Sequence, residues 1–465
     1  MREDVLWVDP AESPAKVLAM LEQAGAAHIA VDAAMLERLC AEPDADRAGL
    51  AQVRRVEVIG GHVDRRAELL FPAAEIRRCA LAAEPDPADV VAAASAAAQS
   101  VGGGPTRTAA QRLVATLETA ALGSMLRVLQ GSGVLDDPTR IYTTTTVVAT
   151  ARAAPPYVPL VGRWLRVLAE AGWIARDADG YRGARPVGAG AESAAWDAAH
   201  RQWVEGGFGG PAFVTYLRRN AESLEGLLTG DIAAAMLLFP EGRTEVADAV
   251  YRDTATARFL NETIAGAVCR LGVSGATRVL EVGAGTCATS EVVLARAASA
   301  GIRLRYTVTD VSQFFLSTGR SRLPDAHFAV LDFNRSPIVQ GFSPGSADVV
   351  VAAGALNAAR DIDAAVRGLA RLLAPGGWLL VSEPTREHVE ILASQAFMMA
   401  SPLDVRARTG TSFLDCAQWA AVFAGAGLVL RATLPAEDHA LAPLGQRLFL
   451  VQAPDTTEAT HHRAV

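Results

Sequence analysis

Residues 279–290 read VLEVGAGTCATS, an apolar stretch that runs into Glu281, Gly283 and Gly285 and then into a helical pattern. A strand that turns into a helix through residues without side chains lets the backbone approach a ligand at the strand's carboxyl end. Asp310 closes the next apolar stretch, YTVTD, where a carboxylate can accept hydrogen bonds from both hydroxyls of a ribose. Asp332 and Phe333 follow in AVLDF, an acceptor for an adenine amino group beside an apolar face. The third glycine of a dinucleotide fingerprint is absent, with Cys287 and Ala288 in that stretch, so the spacing points to a nucleoside cofactor without a pyrophosphate. The cysteine itself reads as a small packed residue rather than a nucleophile. Glu383, in VSEPT, and His388, just past it, are the candidate acid–base groups; a general base must lie within hydrogen-bond reach of the proton it removes. Asn357, in ALNAARD, ends the preceding strand pattern. It is read either as a donor to a substrate oxygen or as a strand-end cap. Tyr251 and Asn261 precede the glycine turn, where helices roof a cofactor, and Tyr251 is the candidate substrate contact. No metal site is expected.

These groups need a sheet to hold them. Strands are expected at 278–282, 306–309, 347–352, 378–382, 428–432 and 447–451, the first four each followed by a helix. That alternation implies an α/β class fold, a mostly parallel sheet covered on both faces. Four regions follow: an α/β segment over 1–100, a helical and wing-like subdomain over 105–270, a cofactor-binding core over 271–452, and a disordered tail over 453–465. In the first, residues 13–24 read as a helix capped by Ser13 with Pro14 in its first turn, and 28–31 and 53–59 read as strands. In the second, 157–171 is an amphipathic helix followed by Gly172-Trp173-Ile174 and Gly180-Tyr181-Arg182; residues 101–106 are a flexible joint.

The chain has 465 residues, 51% hydrophobic and 20% charged, enough apolar material for several cores. Its 43 basic against 51 acidic residues leave a net charge of −8. That excludes a general nucleic-acid binder, which needs a basic field to displace counterions. No apolar run reaches the ~20 residues that span a bilayer, and residues 1–10 read as neither a signal nor a transit peptide. The five cysteines are scattered and never form a CxxC pair, which suits a reducing, cytoplasmic setting. Lys16 is the only lysine, so no catalytic lysine is expected.

An acid after strand one, acids after strands two and three, and a PGG before strand five form a pattern that resembles the class I S-adenosylmethionine methyltransferases. The stretches LLFPEGRTEVADAVYRD, VLEVGAGTCATSEVVL, YTVTDVSQFFL, DVVVAAGALNAARDID and LLAPGGWLLVSEPTREH are similar to the C-methyltransferase domains of polyketide synthases and siderophore-type nonribosomal peptide synthetases, over about 110–452. The resemblance implies a Rossmann-like core with a seven-stranded sheet and S-adenosylmethionine as cofactor. It also implies a substrate held as a thioester on the phosphopantetheine arm of an acyl or peptidyl carrier protein, methylated at an activated α-carbon. With no carrier or ketosynthase motif alongside, a trans-acting enzyme is expected. Asn357 replaces the histidine that the polyketide members pair with the glutamate matched by Glu383. This departure shifts the expectation from β-ketothioesters toward thiazolinyl thioesters. The alternatives are O- or N-methylation of a free small molecule, and a non-catalytic scaffold.

Overall fold

The structure, a computed structural model, describes residues 5–8, 12–41, 49–59, 67–79, 85–100, 102, 104–184, 188–274 and 277–454. Most of the expected tail, part of the 101–106 joint and the glycines 60 and 61 lie outside the described residues. The chain divides into two compact units, Met1–Pro85 and Asp86–Val465.

The first unit is a parallel sheet whose strands Val5–Trp7, His28–Asp32, Arg55–Ile59 and Glu75–Cys79 lie in chain order. Helix Pro14–Ala24 begins at Ser13, whose hydroxyl accepts from the Lys16 N–H at 3.3 Å. Its Val17 and Leu21 pack with Ile29, Val31, Val56 and Val58 of the sheet.

In the larger unit the strands are β1 (Thr277–Val282), β2 (Leu304–Asp310), β3 (His327–Val330), β4 (Ala347–Ala353), β5 (Leu373–Pro384), β6 (Val429–Leu434) and β7 (Gln446–Gln452). They form one sheet in the order β3-β2-β1-β4-β5-β7-β6. All pairs are parallel except those of β7, which runs antiparallel to β5 and β6. The central strands are apolar on both faces because both are covered. Val279, Val349 and Val351 enter one core, and Leu280, Val282, Val350 and Ala352 enter the other. The strand order reverses between β1 and β4, which opens a crevice at their carboxyl ends.

The division at residue 85 differs from the sequence-based boundary near 100. Helix Pro87–Gln99 belongs to the larger unit because its Val90, Ala94 and Ala98 are buried with Leu260, Ile264 and Val268 of helix Ala255–Leu271. Gly266 permits the close approach: a Cβ there would lie 2.5 Å from that of Ala97. Upstream of the sheet, helix Arg107–Gly131, capped by Thr106, buries Leu113 and Leu117 with Trp196 and Trp203. Strands Ile141–Tyr142, Gly180–Arg182 and Ala175–Asp177 make the small wing. Helix Val158–Glu170 buries Trp164, whose indole N–H donates to the Leu392 carbonyl at 3.0 Å. Among the described residues no helix is long and apolar enough to cross a membrane, and no grouping of three or more His, Cys, Asp or Glu suits a metal ion.

Candidate active site

The turn after β1 is built for close approach. Gly283 has φ +66°, and a Cβ there would lie 2.6 Å from that of Ala355; only glycine meets both conditions. Gly285 also has positive φ, but nothing lies within 4 Å of where its Cβ would be, so this residue faces the open side. The turn is lashed to β2: Ala284 N–H donates to the Thr309 carbonyl at 3.0 Å, and Thr309 Oγ1 donates to the Glu281 carbonyl at 2.7 Å.

Asp310 sits beside the turn with its carboxylate fixed at both oxygens. Gly285 N–H donates to Oδ2 at 2.9 Å and Ser312 N–H to Oδ1 at 2.8 Å. Each oxygen keeps lone-pair capacity for a ligand hydroxyl. At Asp332, Oδ1 accepts from Asn334 N–H at 2.9 Å, which leaves Oδ2 for a ligand. Gln340 clamps the backbone there, accepting from Asp332 N–H and donating to the Asp332 carbonyl. Phe333 is half-buried, 3.7 Å from the position of a Gly283 Cβ.

Glu281 is 1% exposed and points partly inward. The hydroxyls of Ser290 and Tyr306 both donate to its Oε2, the second at 2.8 Å. Burial pushes its pKa up to about 7 against those hydroxyls. Its first task is therefore to brace the turn from below, with Oε1 the oxygen left over. The hydroxyl of Thr286, within the turn, is buried with no protein partner. Together Asp310, Asp332, the open Gly285 and this orphan hydroxyl fit a cofactor with a ribose and a polar tail.

Cys287 has φ +61°, a left-handed conformation that a non-glycine residue adopts only with strain. Its buried thiol lies 2.8 Å from where a Gly319 Cβ would be, and burial pushes its pKa up to about 12. We expect Cys287→Gly to leave thermal stability nearly unchanged, because a strain relief of about 1 kcal/mol offsets the lost packing. Cys287→Val, branched in a left-handed conformation, should lose about 2 kcal/mol or more. Calorimetric melting checks both, and the native thiol should resist iodoacetamide at pH 8 by mass spectrometry.

The second half of the site lies at the ends of β4 and β5. Gly354, with φ +68°, turns the chain out of β4. Glu383, on β5, is fully buried. Leu356 N–H donates to its Oε1 at 2.6 Å and Asn357 Nδ2 to its Oε2 at 2.8 Å. Burial raises its pKa to about 7, opposed by those bonds and by the charge of Arg406. Asn357 Nδ2 also donates to the Gly354 carbonyl at 3.1 Å. Both neighbours are acceptors, so the amide's orientation is fixed and both its hydrogens are engaged. The reading of Asn357 as a donor to a substrate oxygen is corrected accordingly: its free atom is Oδ1, an acceptor.

His388 is not brought to this pair. Its ring lies against Gly445, with Nε2 2.9 Å from where a Cβ would sit, and it is 9% exposed. Burial and then Arg386 push its pKa down to about 4. Tyr251 ends helix Glu245–Tyr251 and remains 41% exposed, yet protein crowds its hydroxyl. That crowding and the Glu383 charge hold the phenol above its usual pKa. Arg322 ties this helix to the cofactor turn, pairing with Asp248 at 3.0 Å and donating to the Thr286 carbonyl at 3.0 Å. Asn261 does the same from below, donating to the Tyr251 carbonyl at 3.2 Å and accepting from Thr289 Oγ1 at 2.8 Å.

Two residues escaped the sequence reading. Tyr216 is 1% exposed with an orphan hydroxyl, and burial and then Tyr251 raise its pKa. Arg406, 3% exposed, donates to the carbonyls of Asn357 at 2.8 Å and Ala359 at 2.6 Å and pairs with Asp404 at 2.7 Å. It holds the loop that presents Asn357. No local motif marks either residue. Arg406→Ala leaves the Asp404 side chain, 1% exposed, as an uncompensated buried charge, so we expect a loss of about 3–5 kcal/mol in urea unfolding.

The comparisons with known proteins agree with this geometry. The family profile for a methyltransferase domain matches residues 280–379. Pyochelin synthetase PchF of Pseudomonas aeruginosa is 34% identical over 352 residues, covering 73% of this chain and 19% of that protein. Polyketide synthase ThaQ of Burkholderia thailandensis is 32% identical over 246 residues, 49% of this chain and 12% of that one. The chain thus spans a fifth or less of the length of these curated relatives. Among solved structures, the CurJ carbon methyltransferase aligns over 80% of this chain and 100% of its own, with a TM-score of 0.71 and 25% identity. Residues 280–379 are thus a methyltransferase domain, and the chain carries the class I, S-adenosylmethionine-dependent methyltransferase fold that it shares with the CurJ carbon methyltransferase.

Proposed function

We propose that the protein methylates the α-carbon of an acyl group, a thiazolinyl thioester, held on a carrier protein's phosphopantetheine arm, and that it acts in trans. The observation that carries the reading is the buried Glu383, with its pKa raised to about 7, at the carboxyl ends of β4 and β5. Burial there is what a carbon base needs, because a carboxylate of raised pKa removes a proton more readily.

The cofactor supplies an electrophilic methyl group on a sulfonium. Asp310 would hold the ribose hydroxyls, Asp332 the adenine amino group, Phe333 the adenine face, and Glu281 the ammonium end. Glu383 accepts the α-proton. Tyr251, kept neutral by its raised pKa, donates to the thioester oxygen as charge gathers there. Asn357 and Leu356 N–H orient the carboxylate. The helix bearing Tyr251, tied down by Arg322 and Asn261, shields the site from water.

A second reading is favoured by Asn357, whose engaged Nδ2 leaves Oδ1 as the acceptor. An acceptor would suit a substrate N–H, and nitrogen methylation needs alignment and desolvation rather than a carbon base. One experiment separates the two. A carrier loaded with a thiazolinyl thioester is treated with enzyme and 13C-methyl S-adenosylmethionine, and intact-protein mass spectrometry reads the gain of one methyl. NMR of the released acid then locates it on carbon, as proposed, or on nitrogen. No gain on the carrier, with turnover of the free acid, would sink the carrier reading. Asn357→His sets an imidazole against Glu383, and we expect it to confer methylation of β-ketoacyl thioesters that the parent leaves untouched.

A further inference from the structure

The chain carries a net charge of −8, yet one surface beside the site runs the other way. Asn334 Oδ1 accepts from Arg360 N–H at 2.8 Å, so the loops after β3 and β4 touch. Leu403 N–H donates to the Arg360 carbonyl at 2.6 Å, and Arg406 binds the carbonyls of 357 and 359, so the 403–410 segment lies on the same loops. Gly410 abuts Arg166 of helix Val158–Glu170, its Cβ position 3.0 Å from the guanidinium. The four segments bring together Arg166, Arg335, Arg360 and Arg408, all exposed, none within ion-pair distance of a described carboxylate. Of the acids in these segments, Asp404 is buried on Arg406 and Asp361 is engaged in capping the Ala364 N–H at 2.8 Å, while Glu170, one turn from Arg166, is exposed. Asp363 is half-buried. Leu403 stands 64% exposed among the arginines.

We propose that these four arginines, with the exposed Leu403 bonded to Arg360, form the docking surface for an acidic carrier protein. This inference rests on the carrier-tethered reading above. An apolar contact ringed by like charges is the pattern of a steered, transient interface. Its position is what the substrate's path requires, because Arg406 links this surface directly to the loop that presents Asn357. Arginine also suits the phosphate that joins a pantetheine arm to its carrier, since its fork matches phosphate oxygens. None of the four side chains reaches the reacting groups, so they act on encounter and not on chemistry.

The test uses the full chain and Arg360→Glu, Arg408→Glu and the double variant. Binding of a fluorescent, strongly acidic holo carrier protein is read by anisotropy across a salt series. Turnover is read on the acyl-loaded carrier and on the same acyl group as a free pantetheine thioester. We expect each single variant to weaken carrier binding about tenfold and flatten its salt dependence, and the double variant to weaken it further, with turnover of the pantetheine thioester unchanged. Unchanged carrier binding in the double variant, with turnover on the carrier intact, overturns the docking surface while leaving the carrier reading in place. Parallel loss on both substrates also overturns it, since the effect would then be on chemistry. A parent enzyme that neither binds the carrier nor methylates its cargo, but methylates the free acid, overturns the carrier reading and this inference together.

Discussion

Glu383→Gln should lower kcat by about 10²–10⁴-fold while S-adenosylmethionine binding stays as in the parent. The glutamine cannot accept a proton, and it cannot reproduce the existing bonds. Leu356 N–H and Asn357 Nδ2 both donate to Glu383; a glutamine side chain offers one acceptor oxygen and turns an NH₂ toward the other donor. A stability loss of about 1–3 kcal/mol accompanies the catalytic loss. The pH profile gives the sign independently. Glu383 works as a base only when ionised, and its pKa is raised to about 7, so kcat should climb as pH rises and level off above about 7. Stability runs the other way. A carboxyl whose folded pKa is raised above its unfolded value stabilises the fold at low pH, and that contribution is lost as pH rises through the folded pKa. An enzyme that gains activity while its melting temperature declines over the same pH window is the expected signature. Stopped assays and calorimetry across pH 5–9 would read it, and a profile flat from pH 5 would remove Glu383 as the base.

The second large effect falls on the cofactor. On the proposed reading, Asp310→Ala removes the acceptors for both ribose hydroxyls. Hydrogen bonds to a charged group contribute about 1.5–3 kcal/mol each, so affinity for S-adenosylmethionine should fall by about 10²–10⁴-fold. The N–H groups of Gly285 and Ser312 lose their partner as well, which loosens the turn. Asp310→Asn should be nearly as damaging despite its shape, because its amide has one acceptor oxygen for two N–H donors. Titration calorimetry with S-adenosylhomocysteine isolates binding from catalysis. Affinity within a few-fold of the parent in Asp310→Ala would place the ribose elsewhere.

The sheet was legible where strands are buried on both faces. β1, β4 and β5 announce themselves as runs of Val and Leu, and the readings at 278–282, 347–352 and 378–382 fall inside the observed strands. β3 is half-exposed over His327–Val330, carries no clear alternation and was readable only through the Asp332 that follows it. In the first unit, the edge strands Val5–Trp7 and Glu75–Cys79 are short or charged, and they form because a neighbour supplies the ladder. The glycine turn and the acids after it were legible because backbone chemistry limits which residues can stand there. The catalytic half was not. Whether Asn357 donates or accepts depends on Gly354 and Glu383, and the ring of His388 is set by its packing against Gly445. Arg406 acts across 49 residues on Asn357 and 47 on Ala359, a distance that no local pattern spans.

The position of β7 has a consequence for how the molecule comes to be folded. It slots between β5 and β6 and is the last strand formed from the described chain. Before residues 446–452 leave the ribosome, β5 has an open edge, and its buried run of apolar side chains has only β4 beside it. The nascent chain therefore carries an adhesive edge from the emergence of β5 until that of β7. The crevice that holds Glu383 takes its final shape only when β7 docks, so the sheet closes late, through contacts between distant segments. Such a step is slow relative to helix formation. Production in cells should then respond more to chaperone supply and to low temperature than the stability of the finished protein would suggest.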